Sequence, residues 1–229
     1  MHNNRKNKID DGFRPELAKN GVFDGALEII RIQKPEEFII PKDTIPFSMM
    51  NRSKDHSEFV VFYEHDLRFA DVLTSTEEYL PELKKFPGVV SPDASLYRDM
   101  PLCLQIANTY MNRLIGHYLQ EQGLYVIPNI RWGDERSYTT VELPEKFAFL
   151  GVEKHSIVSI GTYGCIRGKE NKHYFKEGLA AMLYELEPEI VLVYGPMPDS
   201  VFAEFEDVTT FVHYEDWISK KRGDKNGKR

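Results

Sequence analysis

Cysteine is scarce. The 229-residue chain has two, Cys103 and Cys165, far apart and without a metal-ligand spacing. That excludes a disulfide framework or a zinc motif, and two free thiols are expected. Long apolar runs are also missing. No stretch reaches the roughly 18 residues of a membrane span, and the start, MHNNRKNKIDDGF, has no apolar core of a signal peptide. The expectation is a cytoplasmic protein with no membrane partner. No internal repeat occurs at a fixed period. Basic charge is lacking on the body. The last ten residues carry a formal +5 and Arg5, Lys6 and Lys8 a further +3, so the total of -7 leaves 9–219 at -15. An acidic body argues against wrapping duplex DNA, which needs a basic surface. The basic end could touch nucleic acid weakly, although a solvated tail is the plainer reading.

What is present is ordinary for a globular protein, with 41% hydrophobic and 28% charged residues. The expected organisation is a flexible segment 1–22, one α/β domain 23–217 and a basic flexible tail 218–229. Strands are read at Thr44–Met50, Glu58–Tyr63, Gly88–Val90, Leu124–Ile130, His155–Ile160, Ile190–Tyr194 and Val208–Tyr214. Helices are read at Thr74–Phe86 and Glu170–Leu186, with a long one between Asp99 and Gly123. Alternating strands and helices predict an α/β fold. The strand cores are continuous apolar runs, which suits a sheet covered on both faces. The expectation is a mainly parallel sheet of six or seven strands with flanking helices, either open and doubly wound or a reduced (β/α) barrel.

The densest stretch is Gly88–Gly123. A short apolar strand ends at Ser91-Pro92-Asp93, and a polar loop leads to Asp99 before Met100-Pro101. Asp99 is placed to cap the helix, and Gly123 to close it. Cys103, Leu104, Ala107, Tyr110, Met111, Leu114, Ile115, Tyr118 and Leu119 recur at helical spacing. The other face carries uncharged amides, Gln105, Asn108 and Asn112. These either meet other polar groups or form a wet face.

Both candidate architectures bind ligands at the carboxyl ends of their strands, so the residues just beyond each strand are the candidates. They include Arg and Trp, which turns do not require. Asp93 and Asp99 are candidate acid/base groups, although a cap is the stronger reading of Asp99. Arg131 is a candidate anion hook, because a guanidinium grips phosphate or carboxylate with two N–H groups. A salt bridge to Asp93 or Asp134 competes with that role. Asp134 joins the catalytic candidates. Trp132 and Tyr97 are candidate stacking groups, and Trp132 could equally plug the end of the sheet. Asn51, His65, Ser91, Gln105, Asn129, Thr162, Tyr163 and Tyr194 complete the candidate ligand-binding set. A lone His at a strand end is more often structural than catalytic. Cys165 has no identifiable base beside it, and no spacing demands a metal. The run Gly164–Glu170 is one residue short of a phosphate-binding loop, with Glu170 where the hydroxyl should be.

SPDASLYRDMP at Ser91–Pro101, NIRWGDERS at Asn129–Ser137, GTYGC at Gly161–Cys165 and VYGPMPD at Val193–Asp199 resemble the domain of unknown function 4417 family. The resemblance covers about residues 40–215. It implies an α/β core and a phage, prophage or plasmid context. Some relatives carry a Cys-rich N-terminal segment; this chain does not. The resemblance implies no settled activity, cofactor or oligomeric state. The functional expectation is an enzyme acting on a nucleotide, nucleoside or nucleic-acid-derived small molecule, with phosphate as a candidate group. The alternative is a binding protein that sequesters a nucleotide signal or engages a host protein or DNA.

Overall fold

Short apolar runs closed by Pro, Gly or a polar residue become parallel strands in this chain. The computed structural model describes residues 14–226. A small antiparallel hairpin comes first, β1 (Phe23–Asp24) and β2 (Ile29–Ile30). Arg31 and Asp24 form an ion pair across it. Then come β3 (Thr44–Pro46), β4 (Phe59–Val61), α1 (Ala70–Thr74), α2 (Thr76–Leu83) and β5 (Val89–Val90). The long α3 (Leu102–Glu121), β6 (Val126–Ile127), α4 (Glu135–Tyr138), β7 (Ile157–Gly161) and α5 (Gly168–Leu186) follow. The chain continues through β8 (Ile190–Tyr194), α6 (Asp199–Phe202), β9 (Thr210–Tyr214) and α7 (Trp217–Asn226).

The fold is α/β with parallel strands, but the single sheet of six or seven strands is corrected. The parallel strands form a four-stranded sheet, β3-β4-β5-β6, and a three-stranded sheet, β7-β8-β9. Pro128 explains the break. The ladder between β6 and β7 would need a donor at residue 128, and proline has none. Pairing reduces to one bridge between Asn129 and Ser159. There Ile130 N–H donates to the Ser159 carbonyl at 2.8 Å, and Ser159 N–H to the Pro128 carbonyl at 2.9 Å.

Strand order follows chain order in both sheets. That lacks the reversal on which a doubly wound sheet depends. Alternate strand residues point to opposite faces, and the buried clusters separate accordingly. Phe59, Val61, Tyr63, Val90, Ile127, Ile157, Leu192, Tyr194 and Tyr214 form one cluster drawn from six strands and shared by both sheets. The intervening residues face helices. Val60, Val89 and Val126 pack with Ile115 and Leu119 of α3. Val158, Ile160, Val191 and Val193 pack with Leu179, Met182 and Leu183 of α5. The two sheets wrap one interior in the manner of an unclosed barrel. β3 and β9 do not pair. The Tyr214 hydroxyl reaches across that gap to the Pro41 carbonyl at 2.6 Å, and Lys220 pairs with Asp43.

The faces of α3 differ from the periodic reading. The helix begins at Leu102 with Pro101 at the capping position, and Asp99 makes no cap. Cys103 and Leu104 are exposed, whereas Gln105, Thr109, Asn112 and Arg113 are buried. The loop between β5 and α3 folds back over this half of the helix, and its backbone uses the amides. Asn112 accepts from Ala94 N–H at 2.8 Å and donates to the Ala94 carbonyl at 3.1 Å. Asn108 donates to the Ser95 carbonyl at 2.7 Å, and Gln105 to that of Met100 at 2.9 Å. Beyond the helix Gly123 takes a φ of 88°, a conformation glycine adopts without strain.

At the ends of the described region, Leu17 is buried and Arg14 pairs with Glu77 at 2.7 Å. The segment read as a basic tail continues α7 to Asn226, which Asp216 caps by accepting from Ile218 and Ser219 N–H at 3.0 Å. The remaining parts of both end segments, 1–13 and 227–229, lie outside the described residues. Among the described residues no helix is long and apolar enough to cross a membrane.

Candidate functional site

The carboxyl ends of β4, β5, β6 and β7 open onto one cleft of about 550 Å³. Tyr63–His65 enter from β4, Asp93 and Ser95–Asp99 from the loop after β5, Arg131–Gly133 from the segment after β6, and Gly161 and Tyr163–Cys165 from the end of β7 and the loop after it. The first turns of α5 supply Asn171, Tyr174 and Phe175.

Asp93 lies at its base, 4% exposed. One carboxylate oxygen accepts from Asn129 Nδ2 at 2.8 Å. The other pairs with Arg131 at 2.7 Å. Burial pushes the Asp93 carboxyl up to about 6; Arg131 and Asn129 pull it down, and the nearby Asp66 adds to the rise. Arg131 is half-buried in the same cleft. Burial is the largest influence and works against its charge, but Asp93, with smaller contributions from Cys165, Asp66 and Tyr63, holds its pKa above the ordinary value.

The layer beneath holds Asp93 in place. Asn129 is fully buried and every polar group on it is engaged. Its N–H donates to Ser91 Oγ at 2.9 Å, and its amide oxygen lies 3.0 Å from the Tyr63 hydroxyl. That hydroxyl is also 2.7 Å from Ser159 Oγ, and burial foremost, then the Asp93 charge, keeps it protonated. The Asn129 carbonyl accepts from the buried Arg113 at 2.5 Å.

Of the candidates from sequence, Asp93, Asp99, Arg131, His65, Tyr97, Trp132 and Tyr163 line the cleft. Asp99, Tyr97 and Tyr163 are exposed there. Trp132 is largely buried and packs on Phe175 at 5.1 Å. His65 Nδ1 accepts from Leu67 N–H at 3.3 Å. Ser91 and Asn129 lie in the supporting layer. Gln105 sits under Gly133, with its amide oxygen buried and unpartnered. Asp134 is turned away, capping α4 and paired with Arg136 at 2.9 Å. Thr162 bonds to the Tyr194 carbonyl at 3.2 Å. Tyr194 stacks on Tyr63 inside the barrel, and its hydroxyl accepts from Trp217 N–H at 3.0 Å. Asn51 is exposed on a 3-10 turn outside the cleft.

Reading the strand ends misses Arg98, Asn171, Tyr174, Phe175 and Arg113. Asn171, Tyr174 and Phe175 share one helix face at spacings of three and four, a signal available from the helix that follows GTYGC. Arg113 is the lone Lys, Arg, Asp or Glu between Leu102 and Gln120, a charge with no solvated face to sit on. Among the described residues no group of three His, Cys, Asp or Glu is placed to hold a metal ion. Both cysteines are free; Cys165 lines the cleft and Cys103 is exposed.

The family model described as Domain of unknown function (DUF4417) matches residues 22–215. The chain belongs to this family. Two curated relatives are called Gene 1 protein. The one from Mycobacterium phage L5 is 27% identical over 191 residues, covering 78% of this chain and 80% of the relative. The one from Mycobacterium phage D29 is 32% identical over 134 residues, covering 58% of this chain and 47% of the relative. The chain thus spans about half the length of the D29 protein. No solved structure gives a significant match. This DUF4417 member is therefore a phage-associated protein. Three of the four strings by which it resembles the family, at 91–101, 129–137 and 161–165, contribute walls of the cleft.

The seat of Trp132 is testable in this DUF4417 chain. A Cβ on Gly178 of α5 would lie 2.2 Å from the indole nitrogen. Gly178→Ala is expected to cost about 1–3 kcal/mol, as overpacking of a filled core does. Urea unfolding followed by tryptophan fluorescence measures it, and an unchanged midpoint would mean the ring is free to move.

Proposed function

We propose that this protein is a phage-type enzyme acting in the host cytoplasm on a nucleotide, nucleoside or nucleic-acid-derived small molecule, at the cleft above β4–β7. The observation that carries the reading is Asp93, buried beside Arg131 with its carboxyl pushed up to about 6. Perturbed carboxyls in clefts mark functional sites, and a value near the working pH suits proton transfer. In this reading Asp93 exchanges a proton with the substrate, Arg131 holds an anionic group, and Tyr97 and Tyr163 flank a ring.

A second reading follows from a different feature. Both Asp93 oxygens already have partners, Asn129 and Arg131. That suits a group that fixes an arginine for binding without turnover.

The test is thermal unfolding of the purified protein against nucleotides, nucleosides and sugar phosphates. A ligand at 100 times its dissociation constant adds about 2.7 kcal/mol, which raises the melting temperature by about 5–10 °C in a chain of this size. The expected result is a hit that disappears in Arg131→Ala. With that hit, Asp93→Asn abolishes turnover and retains the ligand in the enzyme reading, and changes affinity modestly in the binding reading. A hit that survives Arg131→Ala removes Arg131 as the group that holds the anion.

A further inference from the structure

Two arginines line the cleft, and their restraints are unequal. Arg131 at the base is tied to Asp93, whose side chain is 5% exposed. Arg98 is at the mouth, on the loop between β5 and α3, and pairs at 2.9 Å with Glu170 of α5, whose side chain is 72% exposed. Its guanidinium lies over the Tyr174 ring at 4.7 Å, and its backbone carbonyl is held by the Arg136 guanidinium. Arg98 therefore bridges two walls of the cleft, anchored through its main chain and steered by an aromatic face.

An exposed ion pair is weak, because water competes for both charges. Losing Glu170 costs Arg98 about fivefold at most in an equilibrium. Separating Asp93 from Arg131 strands a charge in a desolvated site and costs far more. A ligand can recruit Arg98 readily without disturbing the base. Stacking on Tyr174 covers a face of the guanidinium and leaves its N–H edge for an anion. Glu64, another carboxylate of the cleft, is occupied by Ser48 N–H at 2.9 Å.

We propose that Arg98 is a second anion-binding group, released from Glu170 when ligand enters. The ligand class is then one with two linked anionic groups, a diphosphate or a nucleoside diphosphate, spanning from Arg131 to Arg98. This rests on the reading of the cleft as the ligand site.

The experiment is calorimetric titration of the full chain with inorganic pyrophosphate and with orthophosphate. Wild type is compared with Arg98→Ala and Glu170→Gln, each checked for an unchanged melting temperature without ligand, and with Arg131→Ala, checked for a wild-type circular dichroism spectrum. Arg98→Lys is the substitute should Arg98→Ala fail that check. Wild type is expected to prefer pyrophosphate. Arg98→Ala should weaken pyrophosphate at least tenfold and orthophosphate less than threefold, and Arg98→Lys should weaken pyrophosphate severalfold. Glu170→Gln should tighten pyrophosphate two- to fivefold by removing the competitor. Equal weakening of both anions in Arg98→Ala, or no gain in Glu170→Gln, overturns the two-anion assignment while an Arg131→Ala loss keeps the cleft as a single-anion site. Wild type that binds neither anion overturns the assignment as well. Anion binding that survives Arg131→Ala and Arg98→Ala alike overturns the cleft reading itself.

Discussion

Arg113→Met lowers the melting temperature by about 6–20 °C. Arg113 is 1% exposed. It donates to three backbone carbonyls, those of Leu150 at 3.0 Å, Asn129 at 2.5 Å and Ala148 at 3.1 Å. Burial pulls its pKa down to about 10, with only a modest opposing contribution from Asp24. A buried carbonyl left without a donor costs about 1–3 kcal/mol. Three of them outweigh the relief of no longer burying a cation, and a net loss of about 3–5 kcal/mol is expected, in line with breaking other buried charge networks. At about 2–4 °C per kcal/mol for a domain of this size, that gives the stated shift. Arg113→Lys is expected to fall between, because a compact ammonium lacks the planar fork that reaches Asn129 on one segment and Ala148 and Leu150 on another. Thermal denaturation followed by circular dichroism decides it. A Met variant melting within 2 °C of wild type would mean that water replaces the clamp.

Asp93 gives the second large effect, and its sign is opposite to that of an ordinary salt-bridged carboxylate. Its folded pKa is raised from 3.8 to about 6. Between those values the folded protein holds a proton that the unfolded chain has released. The contribution of Asp93 is thus fully present below about pH 4 and is lost as pH rises through 6. At about 1.4 kcal/mol per pH unit the window is worth about 3 kcal/mol. Asp93→Asn cannot titrate, so the stability difference between wild type and variant should move by that amount between pH 4 and 7, in favour of the variant as pH rises. Melting curves of both proteins across that range measure it. A difference independent of pH would place the Asp93 pKa at its ordinary value, with Arg131 offsetting burial in full. The same titration acts on the cleft. Below pH 6 the protonated Asp93 no longer neutralises Arg131, so anion affinity at the base should rise as pH falls.

Part of this architecture is legible from local patterns. Ile190–Tyr194 can be bounded by eye, because five apolar residues lie between Pro188 and Gly195, and β8 has those limits. α5 is legible from the spacing of Phe175, Leu179, Met182 and Leu186, all buried. The strand ends point to the cleft because parallel strands place their carboxyl ends on one rim. Other features are not legible. Asp99 has the residue type and position of a cap, yet the following proline takes that place. Tyr194 ends β8, yet its ring belongs to the interior cluster and does not line the cleft, whereas Tyr63 of the same cluster does both.

Apolar run length, helical period and the residues just past each strand suffice for the α/β class, the parallel strands and the rim that carries Asp93 and Arg131. The division into two sheets, the burial of the α3 amides and Arg113, and the raised carboxyl of Asp93 emerge in the folded chain alone. Each of these depends on groups brought together across the chain. Asn112 meets a loop eighteen residues away, Arg113 meets carbonyls up to thirty-seven residues away, and Asp93 meets Asn129 and Arg131 thirty-six and thirty-eight residues away. A polar residue declares its chemistry in the sequence, but whether it faces solvent or another buried polar group is settled by its partners in space.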